Sequence, residues 1–497
     1  MTATSAARTS KMTTSRTSRL APAERQARVI DRLRKFLQDE AVAAKKTAKE
    51  FEEFEGKLQE RFLEAQREIV AEVMSASDID ADAITIEGRV HRRVLKSKQT
   101  YMTAVGEVAV ERWLYKDRTD PTAHALAAMD LRLGIVEGFW TTRAAKQAAW
   151  VVTQMTPGKA AELFDRVGSM TPSKSSLDRL PKSLGARWEA DREKFESALR
   201  DALEVPEGAT TIAVSIDGVL APVDGGNSPT DVRRKAAKEG RQSKGPAGYR
   251  ELGCATLAFC DDNGDLISAV RFGRGPESKK LTLKDTLRRD LAHILAQHPA
   301  LRLAKIADAG GDNWDYFETL PAGPTILDFF HATEHLAAAL TAVHGEGTMK
   351  MRHQFEQLRE RLQMKDDGAK AVINALTYLR RKHPRIARIA QELRYFRKNK
   401  DRMRYAEWKS QGFMIGSGVV EAACKTLVAQ RLKLSGMRWS KEGAQAILTM
   451  RGWDQSDRFD NAWALVASTY ERELSVLANV VDITPAREKA TPRRASR

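Results

Sequence analysis

The segment that decides the expected fold is residues 211–218, which read TIAVSIDG. Its β-branched and small apolar residues predict a buried strand, and Asp217 ends that run just before Gly218. A carboxylate at the end of a buried strand is costly unless a cation or hydrogen bonds compensate its charge. The pattern therefore favours a metal ligand at Asp217, and a turn aspartate before glycine is the alternative.

The elements that follow this strand alternate between strand and helix. The predicted order is a strand over 211–216, a hairpin of strands over 252–260 and 265–272, a helix over 278–297, a strand over 301–307, a helix over 313–320, a strand over 325–327 and a helix from 329 onward. This order of three strands, a helix, a strand, a helix and a further strand is typical of an RNase H-like sheet. We therefore expect an α/β catalytic core of that type.

A second acid follows the next predicted strand. Asp308 ends the strand over 301–307, whereas Asp312 precedes a predicted helix and is better explained as its N-cap. Mg²⁺ takes oxygen ligands and keeps several waters, so a few carboxylates can hold two ions about 3.5–4 Å apart. Asp308 is therefore predicted to share a metal site with Asp217.

Three other residues near these strands need interpretation. Glu421 lies in the first turn of a predicted helix, where the helix dipole alone favours an acid. Asp328 and His331 form an Asp-x-x-His pair after the short strand over 325–327. Zinc would prefer other spacings, so a mutual hydrogen bond beside the active site is the expected use of the pair.

The composition indicates a nucleic-acid partner. The chain has 497 residues, with 82 Lys and Arg against 66 Asp and Glu, a formal net charge of +16 and a pI of about 9.6. Such an excess of cations favours a polyanion. The three cysteines, Cys254, Cys260 and Cys424, form no C-x-x-C pair, and no apolar run is long enough for a membrane helix. We expect a cytoplasmic protein without a membrane partner.

The chain divides into several predicted regions. We expect a disordered basic tail over 1–20, a long helical segment over 21–78 for docking or dimerisation, a β-hairpin module over 79–120, a helical DNA-binding region over 121–205, the core over 206–343 and 412–475, a basic α-helical insertion over 344–411, and a C-terminal tail over 476–497. Within the helical DNA-binding region, residues 159–184 resemble a helix-turn-helix, and an ordinary helical hairpin is the alternative.

Several residues are predicted to contact DNA. They are Lys174, Ser176 and Arg179 on the second helix of the candidate helix-turn-helix, Arg397, Lys398 and Lys400 in the basic insertion, Lys425 and Arg431 at helical spacing from Glu421, and Arg438 with Trp439. Cations meet phosphates, whereas an aromatic ring such as Trp439 can stack on an unpaired base. Trp314 and Trp408 are further stacking candidates, with core packing as the alternative, favoured at least for Trp314.

Five motifs together resemble the transposases of the ISKra group of bacterial insertion sequences. They are Ser215-Ile-Asp-Gly, Ala307-Asp-Ala-Gly-Gly-Asp-Asn-Trp, Asp328-Phe-Phe-His, Gly416-Ser-Gly-Val-Val-Glu-Ala-Ala-Cys-Lys and Ser435-Gly-Met-Arg-Trp. The resemblance covers about Val94 to Arg472, and the stretch from Gly416 to Trp439 is its most specific part. The order Asp, Asp, Asp-x-x-His, Glu is more distantly similar to Mutator-like transposases.

The resemblance implies a DDE transposase on an RNase H-like fold, with Asp217, Asp308 and Glu421 as catalytic and metal-binding triad. It implies two Mg²⁺ ions, with Mn²⁺ as a substitute. The implied partners are the terminal inverted repeats of an element and its target DNA, bound by a homodimer or higher homo-oligomer. The implied location is the bacterial cytoplasm, in association with the nucleoid when the protein is bound to DNA. A non-catalytic transposase-derived DNA-binding protein and a structure-specific RNase H-like nuclease, such as a resolvase, remain the alternatives.

Overall fold

The computed structural model describes residues 22–40, 44–120, 122–224, 248–308 and 310–477. Its described residues fall into two compact units, one drawn from the ranges 1–145, 162–172 and 467–497 and the other from 146–161 and 173–466. Among those residues, none of the helices has the length and apolar character needed to cross a membrane. The tail predicted over 1–20 lies outside the described residues, as does nearly all of the C-terminal tail.

The chain is mixed α/β. In chain order the helices are α1 Pro22–Glu40, α2 Ala48–Ala76, α3 Ala128–Arg132, α4 Thr142–Gln154, α5 Pro157–Val167, α6 Lys174–Ala190, α7 Arg192–Asp201, α8 Leu281–Gln297, α9 Gly311–Glu318, α10 Phe329–His344, α11 Met349–Met364, α12 Gly368–Lys382, α13 Ala387–Asn399, α14 Tyr405–Ser410, α15 Gly418–Ala423, α16 Lys441–Asp454 and α17 Phe459–Ser468. The strands are β1 Ala83–Ile86, β2 Arg89–Thr103, β3 Gly106–Asp117, β4 Leu126–Ala127, β5 Thr211–Pro222, β6 Tyr249–Cys260, β7 Leu266–Arg274, β8 Arg302–Ala307, β9 Thr325–Leu327 and β10 Leu474–Val476.

The first unit is built on an antiparallel sheet with the order β10-β1-β2-β3-β4. Strand β3 alternates buried and exposed residues along its first half, as a sheet with one covered face requires. The end of α2 packs on that covered face, where Met74 joins Tyr101 and Val110 in one apolar cluster. Helix α2 thus docks onto its own chain.

Three features of this unit differ from the sequence prediction. The predicted long helix is broken into α1 and α2, which pack on each other through stacked rings of Phe36 and Phe54 with centroids 6.5 Å apart. The apolar residues Phe51, Phe62, Ile69 and Val73 recur at helical spacing in α2, which predicts a packed stripe, but their side chains are exposed. Strand β10 was not predicted; it pairs with β1 and places residues 474–476 in this sheet.

The second unit is built on a sheet with the order β7-β6-β5-β8-β9. Strands β5, β6 and β7 pair antiparallel, whereas β8 and β9 run parallel to β5. The central strand β5 is fully buried from Thr211 to Ile216. It pairs with β6 as far as Pro222, so the strand runs past Asp217, where the sequence had predicted its end.

The region predicted as an insertion is helical, and its helices pack on this sheet. Helices α11 to α14 occupy residues 349–410, and their apolar residues Leu362, Leu376 and Phe396 belong to the same continuous core as the sheet. In the described part of the chain, these helices are thus packed onto the sheet through apolar contacts. That packing fixes their side chains relative to the strand ends.

Helices α6 and α16 approach each other unusually closely in the second unit. A Cβ placed on Gly185 of α6 would lie 2.5 Å from the Cβ of Ala446 in α16, which no pair of side chains tolerates. Glycine is therefore needed at this crossing. The close contact holds α6 by the face that carries Leu177, Leu180 and Leu184.

Candidate active site

Three carboxylates lie side by side on the second sheet, just beyond the parallel pairing of β5, β8 and β9. The last parallel pair between β5 and β8 is Ser215 with Ile306, so Asp217 and Asp308 each stand two residues farther along. Asp328 directly follows β9, whose Leu327 pairs with Ala307. Neighbouring strands lie about 4.8 Å apart. We call these three residues, Asp217, Asp308 and Asp328, the acidic edge.

Asp217 is half-buried and hydrogen-bonded on both oxygens. Its Oδ1 accepts from the backbone N–H of Gly218 at 2.6 Å, and its Oδ2 accepts from the Cys424 thiol at 3.4 Å. A hydrogen bond with Cys254 and burial raise the pKa of the Cys424 thiol, so the sulfur keeps its proton and donates. The sequence did not predict this contact, since 207 residues separate the two partners.

Asp308 is exposed and held by one oxygen. Its Oδ1 accepts from the side-chain amide of Asn313 at 3.2 Å and from the backbone N–H of Gly310 at 3.2 Å. The same amide donates to the Ile216 carbonyl at 3.4 Å, which ties the end of β8 to the middle of β5. Asn313 is thus a site residue that sequence reasoning missed, although it stands within the motif that begins at Ala307.

The N-cap predicted at Asp312 is wrong. Helix α9 begins at Gly311 with Gly310 as its N-cap, and Asp312 lies exposed in its first turn. Glycine is accepted at an N-cap because it reaches the non-helical conformation at little cost. The prediction that Asp308 is a metal ligand therefore depends only on its position directly after β8.

Asp328 is the fully buried member of the acidic edge. It caps α10: its Oδ1 accepts from the backbone N–H of His331 at 2.5 Å, and its Oδ2 accepts from the backbone N–H of Ser417. Asp328 and His331 are thus hydrogen-bonded to each other, as the sequence predicted for the pair, but the donor is the main-chain N–H of His331 and not its ring. The ring Nδ1 of His331 instead lies 3.5 Å from Glu334.

Glu421 stands in the first turn of α15, on the segment that contacts this edge. Its Oε1 accepts from the Ser417 hydroxyl at 2.9 Å, and the side chain is exposed. After α15 the chain continues as a π-helical segment, Cys424–Ala429. Because residues three apart share a helical face, Glu421 lies on the side from which Cys424 reaches Asp217. The helix that carries Glu421 thus lies against the middle of β5.

The donor atoms of this site fit a hard divalent cation. Asp217, Asp308 and Glu421 offer carboxylate oxygens, which Mg²⁺ prefers. In the described part of the chain, no three His, Cys, Asp or Glu side chains are gathered closely enough to hold a metal ion. The hydrogen bond from Ser417 turns the Glu421 carboxylate to its own helix, so a shared site requires that side chain to rotate.

Most of the predicted DNA contacts are on the surface. Lys174 and Arg179 on α6, Arg397, Lys398 and Lys400 at the end of α13, and Lys425 in the π-helical segment are exposed, and Ser176 is half-buried. Arg438 is exposed and pairs with Asp224 at 2.7 Å. The structure spreads these residues over several elements of the second unit. Helix α6 follows its N-cap Ser173 and extends to Ala190.

The structure corrects the role predicted for Arg431. It is buried at 1% exposure, donates to the Val152 carbonyl at 3.0 and 3.2 Å and lies 5.0 Å from the centroid of the Trp439 ring. Burial and the nearby Arg451 lower the pKa of Arg431 to about 10. A guanidinium enclosed in this way is not available to a phosphate, so the predicted DNA contact is wrong.

The three tryptophans that were candidates for stacking on DNA bases are buried or half-buried. Trp314 and Trp408 are buried, so core packing is their role. Trp439 is half-buried, its Nε1 donates to the Leu432 carbonyl at 3.1 Å, and one of its faces carries Arg431. An unpaired base could therefore stack on at most one face of the Trp439 ring.

Arg431→Ala is expected to lower the free energy of unfolding by about 2–4 kcal/mol. The change leaves a cavity beside Trp439 and removes the donors to the Val152 carbonyl. Thermal or urea unfolding measures the effect, with Lys425→Ala as the exposed control that leaves stability unchanged. Unchanged stability of Arg431→Ala together with weaker, less salt-dependent DNA binding would restore the phosphate contact.

Comparisons with known proteins leave the function open. No protein-family model matches the chain, and no curated protein matches it. A solved structure that does match is described as "Drosophila P element transposase strand transfer complex". It is 11% identical, the match covers 66% of this chain and 83% of that chain, and the TM-score is 0.25.

Proposed function

We propose that this chain is a DDE transposase that cuts the ends of an insertion sequence and joins them to target DNA by two-metal chemistry. The observation that carries the proposal is the acidic edge: Asp217 and Asp308 stand at matched positions of adjacent parallel strands, and the helix of Glu421 contacts the middle of β5 through Cys424. Three antiparallel strands followed by two parallel ones, ordered around a central first strand, support an RNase H-like core.

The side chains of this edge fit phosphoryl transfer. Asp217, Asp308 and Glu421 would hold two Mg²⁺ ions, which supply charge neutralisation at the scissile phosphate. Asn313 keeps the end of β8 beside the middle of β5 by bonding to both Asp308 and the Ile216 carbonyl. A water would attack in line at a phosphate held beside these carboxylates and displace a DNA 3′-hydroxyl. That hydroxyl would then attack a phosphate of the target and displace a 3′-oxygen of the target strand.

The helices α11 to α14 provide the cationic surface that a DNA substrate needs. Residues 344–411 contain 18 Lys and Arg against eight Asp and Glu. These helices share the core of the sheet, so their cations are fixed relative to the acidic edge. A carboxylate site for metal beside a basic surface for phosphates favours a DNA-processing enzyme over a merely basic protein.

A triple variant, Arg397→Ala with Lys398→Ala and Lys400→Ala, is expected to reduce the salt dependence of DNA binding. For every phosphate that is no longer neutralised, the slope of log affinity against log salt should become shallower by about 0.9. Fluorescence anisotropy with labelled duplex over a salt series measures this slope. Arg361→Ala is the control, since Arg361 is exposed but paired with Asp367. Equal slopes for the wild type and the triple variant would remove these residues from the DNA surface.

The function is tested with the full chain, Mg²⁺ and labelled duplexes that cover the DNA on either side of its own gene. A transposase releases element ends and joins them to a second DNA. Cleavage without joined products indicates the resolvase alternative, because a resolvase only hydrolyses. Tight, salt-sensitive binding with no Mg²⁺-dependent product indicates the non-catalytic DNA-binding protein.

A further inference from the structure

Phe330 is an exposed aromatic residue in the first turn of α10, two positions after Asp328. Within the described part of the chain it is 52% exposed, whereas its neighbour Phe329 is buried in the core of the sheet. Single exposed apolar residues are common on protein surfaces, so the exposure alone indicates no function. What distinguishes this ring is its fixed position beside the acidic edge.

The ring of Phe330 is held by the segment that leads into α15. A Cβ placed on Gly416 would lie 2.9 Å from Cε2 and 3.1 Å from Cδ2 of Phe330, so one edge of the ring rests on the Gly416 main chain. The main-chain N–H of Phe329 donates to the Ile415 carbonyl at 3.1 Å, and the two phenyl rings meet edge to face with centroids 5.8 Å apart. These contacts set the orientation of the Phe330 ring and leave about half of the residue accessible.

The same contacts place the Phe330 ring at the candidate active site. The Cβ position on Gly416 also lies 3.7 Å from Oδ2 of Asp328, so the ring and this carboxylate both lie next to one glycine. The following residue, Ser417, donates its main-chain N–H to Asp328 and its hydroxyl to Glu421 at 2.9 Å. The accessible ring therefore stands beside the carboxylates to which a DNA strand would bring its phosphate.

The Phe330 ring forms part of the wall of an open groove in the second unit. The groove is mostly apolar, and its lining includes Phe413, Met414, Ile415 and Val419. Lys409 of α14 adds an exposed cation, and Asp265 is the acid among the described lining residues. A second exposed cation, Arg359 of α11, lies 5.7 Å from the centroid of the Phe329 ring. Apolar surface with cations at its margin suits a nucleotide strand, because a base has an apolar face and its phosphate is an anion.

The bases of an intact duplex are stacked on one another and offer no free face to a protein ring. A strand that is nicked, frayed or single can turn a base outward, and an aromatic side chain can then stack on that base whatever its identity. We propose that Phe330 stacks on an unpaired base of the DNA strand whose phosphate lies at the acidic edge. The inference rests on the DNA-binding part of the proposed function and requires no bound metal.

The test measures binding of labelled oligothymidylate to the full chain by fluorescence anisotropy, with EDTA present so that no metal takes part. Phe330→Ala is expected to weaken this binding about 5- to 150-fold, because one stack between a base and an aromatic ring is lost. Phe330→Tyr keeps the ring and should bind as the wild type does. Phe330→Leu keeps an apolar side chain against Gly416 without the ring and should bind weakly. Phe62→Ala, which alters an exposed phenylalanine of α2, is the matched control and should leave binding unchanged.

The same variants are compared on a blunt G·C-rich duplex, whose bases stay paired. Here Phe330→Ala should bind within about twofold of the wild type, since no unpaired base is offered to the ring. The inference is overturned by wild-type affinity of Phe330→Ala for oligothymidylate, by the absence of such binding in the wild type, or by equal losses on the single strand and the duplex. It is also overturned if Phe330→Leu melts well below the wild type, because the ring would then serve packing.

A separate Mg²⁺-dependent cleavage assay with the wild type tests the proposed function. If the wild type cuts no DNA but its single-strand binding depends on Phe330, the inference stands and the transposase proposal fails. If the wild type cuts and joins DNA while Phe330→Ala binds oligothymidylate normally, the transposase proposal stands and the inference fails.

Discussion

Asp217→Asn is expected to abolish Mg²⁺-dependent cleavage of duplex DNA that carries the element ends. The carboxylate stands where β5 meets β8, and no other side chain of β5 could replace it as an anionic ligand. If its removal costs the transition state about 4 kcal/mol of metal stabilisation, the rate falls roughly a thousandfold. Single-turnover cleavage of labelled duplex measures the loss.

The matched control for this variant is Asp262→Asn. Asp262 is exposed at the turn between β6 and β7, which lies at the opposite end of the sheet because Thr211 pairs with Cys260. We expect this variant to cleave like the wild type. Metal-free DNA affinity should be retained in Asp217→Asn, and its melting temperature should fall only slightly, because the remaining oxygen can still accept from Gly218 and only the long 3.4 Å bond from the Cys424 thiol is lost. Cleavage by Asp217→Asn at the wild-type rate would refute the catalytic assignment.

The sheet of the second unit could be predicted because its strands carry local signals. Strand β9 was predicted at its observed limits, and β8 and β6 to within a few residues, since continuous apolar runs bounded by turns are typical of buried strands. The end of β5 was missed. Residues 218–222 stay in the sheet because they pair with 249–253, and such a partner is not visible in the local pattern.

The contacts around the acidic edge could not be predicted in the same way. Helical spacing placed Arg431 on a shared face with Glu421, but spacing does not tell which face is buried. Arg431 is enclosed because Val152 and Trp439, both outside its own helical turn, pack around it. The same holds for the thiol of Cys424 on Asp217, which depends on how α15 packs against β5.

Asp328→Ala is expected to lower the free energy of unfolding by about 3–5 kcal/mol and to reduce cleavage further than this loss explains. The carboxylate is fully buried and accepts from the main chain of both His331 and Ser417. Hydrogen bonds to charged groups contribute about 1.5–3 kcal/mol each, and the variant leaves two donors unpaired. Cleavage suffers as well, because the bond from the Ser417 main chain to Asp328 fixes the start of α15, the helix that carries Glu421.

Thr348→Ala separates the two parts of this effect. Thr348 caps α11 by accepting from the main chain of Met351 at 3.2 Å, so its loss costs a cap alone, about 1 kcal/mol. The excess destabilisation in Asp328→Ala then reports the bond to Ser417, which joins the end of β9 to the start of α15. Asp328→Asn should lie between the two, since it keeps one acceptor but turns an amide toward one main-chain N–H. Equal losses for Asp328→Ala and Thr348→Ala would mean that Asp328 is only a helix cap and does not position the helix of Glu421.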